Sequence, residues 1–539
     1  SNELNSNNLE VSFHEYLHAL SRGGVAYDNP DGTALTEGIT SLITSEYMTT
    51  LTNKPYTGSY HKQQTYVKML FEIVGKDTIL KSYFGHDYNI LVNKLCEYGK
   101  EEDAINLIRL INDEQYYETL LGADAYKDNK VIRKSIIWCD QRTEKECEYI
   151  TEKIGKERLI KITGNPAMTG FTLSKLLWVR NNEPENYKKI NKILLPKDYI
   201  RFKLTNVFAT EVSDASGMQM IDINTRSWSD ELLNDLEIDK NILADVYESV
   251  VVSGKVSSEA AQLTNLSEGT PVVGGAGDQA AGAIGSGIVK EGVISTVIGT
   301  SGVVFASTDT PKFDKDGRVH TLCHAIPGKW HVMGVTQGAG LSLNWFKKTF
   351  CAKEIEDSKK QNVDVYDLLT QEAAQSKPGS NGVTYLPYLM GERTPHLDPN
   401  VKGGFFGVSL INNHNDFVRS VLEGVSFSLK NCLDIIEDMN VKVEDVRVSG
   451  GGAESAVWRQ ILADIFQYPL NTAKASEGGA LGVAILAGVG AGIYPSVEEA
   501  CERIIEKADN KVTPNTELKE TYEKVYAVYN SLYERIKDI

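Results

Sequence analysis

Beyond residue 130 short β-rich runs alternate with helices, and this alternation restricts the fold more than any other feature. The runs are VIRKSIIWCDQRT, KILLPKDYI, GTPVVGGAGD, EGVISTVIGTSGVVFAS, GKWHVMGVT and VEDVRVSGGGA. Such alternation implies α/β architecture. Residues 1 to about 125 read differently, as a mainly helical segment with almost no strand signal. Met69-Leu70 is followed by Ile73-Val74, Leu91-Val92 by Leu95, and Ile105 by Ile108, which is helical spacing. Gly75, Gly85 and Gly99 punctuate that segment. The polar stretch AYKDNK, residues 125–130, separates the two textures. A chain of 539 residues exceeds one ordinary core, so two to four domains are expected.

The front segment contains HEYLH. His14 and His18 lie four residues apart on one helical face and could both reach a Zn²⁺, with Glu15 polarising its water. Glu37, opening a second expected helix, is the candidate third ligand. Zinc proteases of this type place a substrate-binding sheet before the motif, and 13 residues precede His14. The segment therefore reads either as the tail of a zincin-like domain or as a helix with two surface histidines.

Three glycine-rich turns follow β-rich runs in the rear segment. In GTPVVGGAGDQAAGAIGSG, Asp278 follows Gly274-Gly275-Ala276-Gly277 and opens a helix. A carboxylate there can take a proton from a substrate hydroxyl, or can simply cap the helix. In VISTVIGTSGVVFAS, Gly299, Thr300 and Ser301 form a hairpin tip able to offer N–H and O–H donors to phosphate oxygens; an ordinary turn would look the same. In VEDVRVSGGGAESAVWRQILADIFQ, Gly450-Gly451-Gly452 lead from a strand towards a helix, a setting that suits a nucleotide. Neither GxGxxG nor GxxxxGK[ST] occurs at this turn, which excludes the dinucleotide and P-loop readings there.

Charge narrows the partners. The 73 acidic against 56 basic residues leave a net charge of −17, which argues against nucleic acid or an anionic membrane as the main partner. Seven scattered cysteines without a CxxC pair suggest reduced thiols in the cytoplasm. No apolar run reaches the roughly 20 residues that span a bilayer, and the polar start lacks a signal-peptide pattern.

The order of the three turns resembles the FGGY carbohydrate kinases, from about Asn129 to the C-terminus. GFTLSKLLWVRNN (170–182) and GGFFGVSLINNHNDFVRSVLEG (403–424) resemble the two family signatures. SIIWCDQRT, LLPKDYIRFKLT, EVSDASGMQMIDINTRSW, TQGAGLSLNWF and LPYLMGERTPHLDPN point to the xylulokinase branch. The resemblance implies actin-like, ribonuclease H-like ATPase lobes. Residues 126–260 would be the remainder of an N-terminal lobe and 261–539 the C-terminal lobe. It implies ATP, Mg²⁺ and a ketose, D-xylulose, as ligands, with a homodimer as one possible assembly. Asp278 matches the catalytic base, and Gln279 sits where the family contacts sugar. Gly299, Thr300 and Ser301 match the phosphate-binding hairpin. Gly338, Ala339, Gly451, Gly452 and Ala453 match positions lining the nucleotide. Trp138, Asp140 and Arg142 are expected to brace the lobe, and Arg393 and His396 to be structural loop residues.

The chain departs from the family in its front part. The D-x-G-T hairpin that holds Mg²⁺, and the G-Q-M-H-G segment that grips a ketose, do not occur. Asp31-Gly32-Thr33 is a different string and follows Asn29-Pro30 rather than a strand. The N-terminal lobe is therefore expected to be truncated and turnover to be low, with a non-catalytic chimera carrying a metallopeptidase fragment as the alternative.

Overall fold

The computed structural model describes residues 124–127, 130–137, 140–472, 478–505 and 510–538. The chain divides into one unit of Ser1–Gly122 and Lys134–Ile137 and a second of Ala123–Arg133 and Trp138–Ile539. The architecture below is that of the second unit.

Strands β1 (Asp124–Lys127), β2 (Lys130–Val131) and β3 (Lys192–Leu194) form a small antiparallel sheet in the order β2-β1-β3. The run VIRKSIIWCDQRT contributes little of the strand its composition favours. The ladder of β2 with β1 takes in Lys130 and Val131, and Ile137 stands further on in a separate single-residue bridge. KILLPKDYI divides as its proline dictates. Leu195 stays extended, and helix α1 (Pro196–Thr205) starts on Pro196, whose missing N–H costs nothing in a first turn.

Strand β4 (Ala209–Glu211) pairs in parallel with β5 (Asp245–Tyr247) and leads into α2 (Val212–Gly217). Strand β6 (Val252–Lys255) pairs with β7 (Pro271–Val273), and the glycine-rich turn after β7 opens α3 (Asp278–Gly285). Leu159, Leu173, Leu177, Met220 and Leu232 form the core of this part.

The main sheet contains β8 (Gly292–Ile298), β9 (Gly302–Thr308), β10 (His320–Cys323) and β11 (Trp330–Thr336). Helices α4 (Gly340–Phe350), α5 (Ala352–Gln361), α6 (Val365–Gln375) and α7 (His414–Asp438) follow. Then come β12 (Val443–Ser449), α8 (Ala456–Phe466), β13 (Leu470–Thr472), α9 (Gly478–Gly490) and α10 (Lys519–Ile536). The six strands run β10-β11-β9-β8-β12-β13, with β8, β12 and β13 mutually parallel and the rest antiparallel. Helix α7 is 25 residues long and starts on a capping box of Asn413 and Asp416. Its Leu422, Leu429 and Leu433 share a buried core with Ile294, Val304, Val332 and Val446 of the sheet. The α/β class expected from alternation is what these residues form.

Candidate active site

The three glycine segments of the main sheet meet at one place. Strands β8 and β12 run parallel, with Val297 opposite Ser449, so the Gly299 hairpin and the Gly450 turn leave the same end of the sheet. That end, beyond the carboxyl ends of parallel strands, is where α/β sheets bind ligands. Gly450 has φ 87°, and a Cβ on it would lie 2.6 Å from the Ile298 carbonyl oxygen. A Cβ on Gly452 would lie 2.3 Å from the Ile298 side chain, so both glycines are required for the two turns to touch.

The third segment is hydrogen-bonded to the hairpin. Ala339 and Leu341 N–H donate to the Thr300 carbonyl at 3.1 Å, and Gly340 N–H donates to Gly299 at 2.7 Å. Gly338 packs so tightly that a Cβ would come within 2.0 Å of the Pro387 carbonyl oxygen. Gly338, Ala339 and Ala453 are buried, while Thr300 and Gly451 are exposed. Among the described residues the N–H groups of Thr300 and Ser301 donate to no backbone carbonyl. The arrangement therefore offers free donors at an exposed tip, with close-packed backbone behind it, which suits the oxygens of a polyphosphate. The glycine-rich turn after β12 reaches α8 through a short 3₁₀ turn, Gly451–Glu454, with Ser455 as the helix cap. The sequence had suggested a more direct entry into the helix.

Asp278 is exposed at the start of α3, where its carboxylate accepts the Gln279 N–H at 2.7 Å. Gln279 is exposed beside it. Among the described residues Asp278 shares no hydrogen bond with the other three segments. Helix α3 is fixed from both ends. Arg447 of β12 donates to the carbonyls of Ser286 at 2.8 Å and Gly287 at 3.1 Å. At the other end the Gly277 N–H donates to Ser213 Oγ at 3.0 Å.

Beneath the Asp278 turn lies a charged network. Lys197 Nζ stands 3.1 Å from Asp198, 3.3 Å from Glu211 and 3.4 Å from Asp214. Arg201 pairs with Asp198 at 2.8 Å and donates to the Gly274 carbonyl. Burial opposes charge on Lys197, yet its three carboxylate neighbours hold the ammonium well above the ordinary lysine range. Burial pushes the Asp214 carboxyl up to about 6 against the pull of Lys197. A Cβ on Gly277 would lie 2.9 Å from Asp214, so this network is packed directly under the residue preceding Asp278.

Glu392 braces the other side. It is buried, accepts from Thr336 Oγ1 at 2.6 Å, Gln337 N–H at 2.9 Å and Arg393 N–H at 2.7 Å, and so fixes the chain just before Gly338. Sequence reasoning gave Lys197, Glu211, Asp214 and Glu392 no role, although all four stand in the strings LLPKDYIRFKLT, EVSDASG and GERTP. The available signal was charge placed inside otherwise apolar junctions, which burial makes costly unless paired. His396, read as a loop residue, stacks on Tyr533 with ring centroids 3.5 Å apart and contacts the Tyr388 hydroxyl at 3.1 Å. Burial holds the buried guanidinium of Arg393 below its usual range. Asp140 pairs with Arg142, whose guanidinium lies 5.0 Å from the Trp178 ring. Trp138 falls outside the described residues, as do His14, Glu15, His18 and Glu37. A cleft of about 410 Å³ lined by Phe427, Lys430, Asp464 and Tyr526 lies at the C-terminal end of α8, away from the glycine turns.

Among the described residues no helix is long and apolar enough to cross a membrane. Cys147, Cys323, Cys351, Cys432 and Cys501 are free thiols.

Comparison with known proteins agrees with this fold. The model of the FGGY family of carbohydrate kinases, N-terminal domain, matches residues 118–285, and that of the C-terminal domain matches 294–491. A xylulose kinase of Bacillus subtilis (strain 168) is 37% identical over 413 residues, covering 77% of this chain and 80% of the relative. A gluconokinase of Bacillus licheniformis is 31% identical over 408 residues, covering 75% and 79%. The crystal structure of a xylulose kinase from Rhodospirillum rubrum superposes with a TM-score of 0.70 at 27% identity, covering 77% of this chain and 82% of that one.

Proposed function

This chain belongs to the FGGY family of carbohydrate kinases and is a sugar kinase, and on that footing we propose that it transfers the γ-phosphate of ATP to a ketose, converting D-xylulose to D-xylulose 5-phosphate. The reading rests above all on the meeting at one sheet end of the hairpin 299–301, the segment 338–340 hydrogen-bonded to it, and the turn 450–453 packed against Ile298. Xylulose is favoured because the xylulose kinases among the relatives share more identity with this chain than the gluconokinase does.

Phosphoryl transfer asks for positioning and charge neutralisation more than for covalent chemistry. The N–H groups of Thr300 and Ser301 would hold phosphate oxygens, and Gly338, Ala339, Gly451, Gly452 and Ala453 would lie along the nucleotide. Gln279 would hydrogen-bond the sugar through its amide, which both donates and accepts. Asp278 would accept the proton of the attacking sugar hydroxyl as that oxygen bonds to the γ-phosphorus and ADP leaves. Magnesium, when bound with ATP, would neutralise phosphate charge. The three turns carry no carboxylate except Glu454, so on this side the ion would rely mainly on phosphate oxygens and water, as Mg²⁺ commonly does.

The test is ADP release coupled to D-xylulose, with D-gluconate as the competing sugar. Asp278→Asn should lower the rate by about 10²–10⁴-fold while ATP still binds. An unchanged rate in that variant, or a preference for gluconate, overturns the proposal. The rate also weighs the missing D-x-G-T string: turnover far below about 1–100 s⁻¹ is expected if its metal-holding role goes unfilled.

A further inference from the structure

The C-terminal lobe gathers a second cluster of chemistry-bearing side chains, away from the glycine turns. Cys351 lies between α4 and α5 and caps α5, so Glu354 stands in the first turn of the same helix. His414 is the first residue of α7, and Glu372 belongs to α6. The Cys351 sulfur, a Glu354 carboxylate oxygen and a His414 ring nitrogen lie within 4.8 Å of one another. His414 Nε2 is 3.9 Å from Cys351 Sγ, 3.8 Å from Glu354 Oε1 and 3.5 Å from Glu372 Oε2.

These separations are long for hydrogen bonds between nitrogen and oxygen. They suit donors grouped around one ion instead. With Zn–S near 2.3 Å and Zn–N or Zn–O near 2.0–2.2 Å, neighbouring ligands of a tetrahedral zinc stand roughly 3.3–3.6 Å apart. The distances from His414 lie within about half an ångström of that range, and the ligand atoms of Cys351, Glu354 and His414, all within 4.8 Å of one another, would draw in by up to roughly 1–1.5 Å on binding. Glu372 Oε2 is buried yet has no hydrogen-bond partner, although it faces His414. Two carboxylates, a thiol and an imidazole thus share a half-buried site among the described residues without a lysine or arginine ion pair. Cys351 is fully buried, while the His414 side chain keeps 35% exposure and leaves the site reachable from solvent.

We propose that Cys351, Glu354, Glu372 and His414 form a structural Zn²⁺ site that ties the start of α5, α6 and the start of α7 together. The donor set favours zinc: thiolate and imidazole ligands suit it, whereas Mg²⁺ and Ca²⁺ take oxygen. Four protein ligands leave no open position, which marks a structural rather than a catalytic ion. On binding, the Cys351 S–H bond breaks, its proton goes to solvent and the thiolate sulfur bonds to the metal.

The test is cobalt substitution of the full-length chain after chelator treatment. Co²⁺ bound here should give a sulfur-to-cobalt charge-transfer absorption at one equivalent per chain. HEYLH contains no cysteine and cannot produce that band. Cys351→Ser should abolish it, and Glu354→Gln/Glu372→Gln, which keeps the thiol, should weaken cobalt affinity at least tenfold. Zinc should raise the melting temperature of the unaltered chain but not of Cys351→Ser. ADP-release kinetics of the variants should stay unchanged, which also shows that they are folded. Metal uptake without the sulfur band, or a band that survives Cys351→Ser, overturns the proposal.

Discussion

Glu392 shows how one side chain couples acidity to the shape of the site. Burial pushes its carboxyl from the ordinary 4.5 up to about 7, although its hydrogen bonds favour the ionised form. A group with a raised pKa holds its proton longer in the folded chain than in the unfolded one. Its contribution is complete below about pH 4.5 and falls as pH rises towards 7, by at most about 1.4 kcal/mol per pH unit. Glu392→Gln cannot ionise, so its melting temperature should lose that slope between pH 4.5 and 7; an identical slope in both proteins would refute the assignment. At this scale the sequence disclosed the candidate ligand-facing residues more readily than the residues that hold them in place. Asp278 and the hairpin glycines stand in recognisable turns, whereas Glu392 and Lys197 act through partners 50 or more residues away or across a helix boundary, which linear spacing does not reveal.

At the scale of elements, the contact between α3 and α9 fixes the helix that begins with Asp278. A Cβ on Gly482 would lie 1.9 Å from the Ala281 carbonyl oxygen, whereas a Cβ on Gly479 would meet nothing within 4 Å. Gly482→Ala should therefore destabilise by about 1–3 kcal/mol through overpacking. Gly479→Ala, on the same helix, should stabilise by up to about 1 kcal/mol through helix propensity. Urea titration of the two variants separates the effects, and equal shifts would contradict close helix packing. The close packing of AAGAIGSG was not legible in sequence, because Gly285 meets Gly478, which lies far along the chain. Strand reading succeeded where a long ladder exists, as in β8 and β9, and overran in VIRKSIIWCDQRT, since the ladder of β2 with β1 takes in two residues, Lys130 and Val131.

For the whole molecule, the glycine turns show what a sequence leaves open. Their order along the chain pointed to a family, but only the parallel register of β8 and β12 puts residues 299 and 450 side by side. The family models start at residue 118, close to where the second compact unit starts at Ala123. The expected zincin-like segment falls outside the described residues. A ligand that binds only the folded unit stabilises all of it, so ATP with Mg²⁺ at a hundredfold excess over its Kd should add about 2.7 kcal/mol. Gly338→Ala, with its methyl carbon against the Pro387 carbonyl, should abolish that gain in a calorimetric melt.

Beneath the Gly450–Gly452 turn lies Trp458, buried, with its indole N–H on Ser426 Oγ at 3.2 Å and a ring carbon 3.1 Å from where a Gly452 Cβ would stand. An indole so close to the turn proposed to line the nucleotide makes the protein its own optical reporter. Adding ATP should alter intrinsic emission on exciting tryptophan, and Trp458→Phe should remove that response while the other indoles go on emitting.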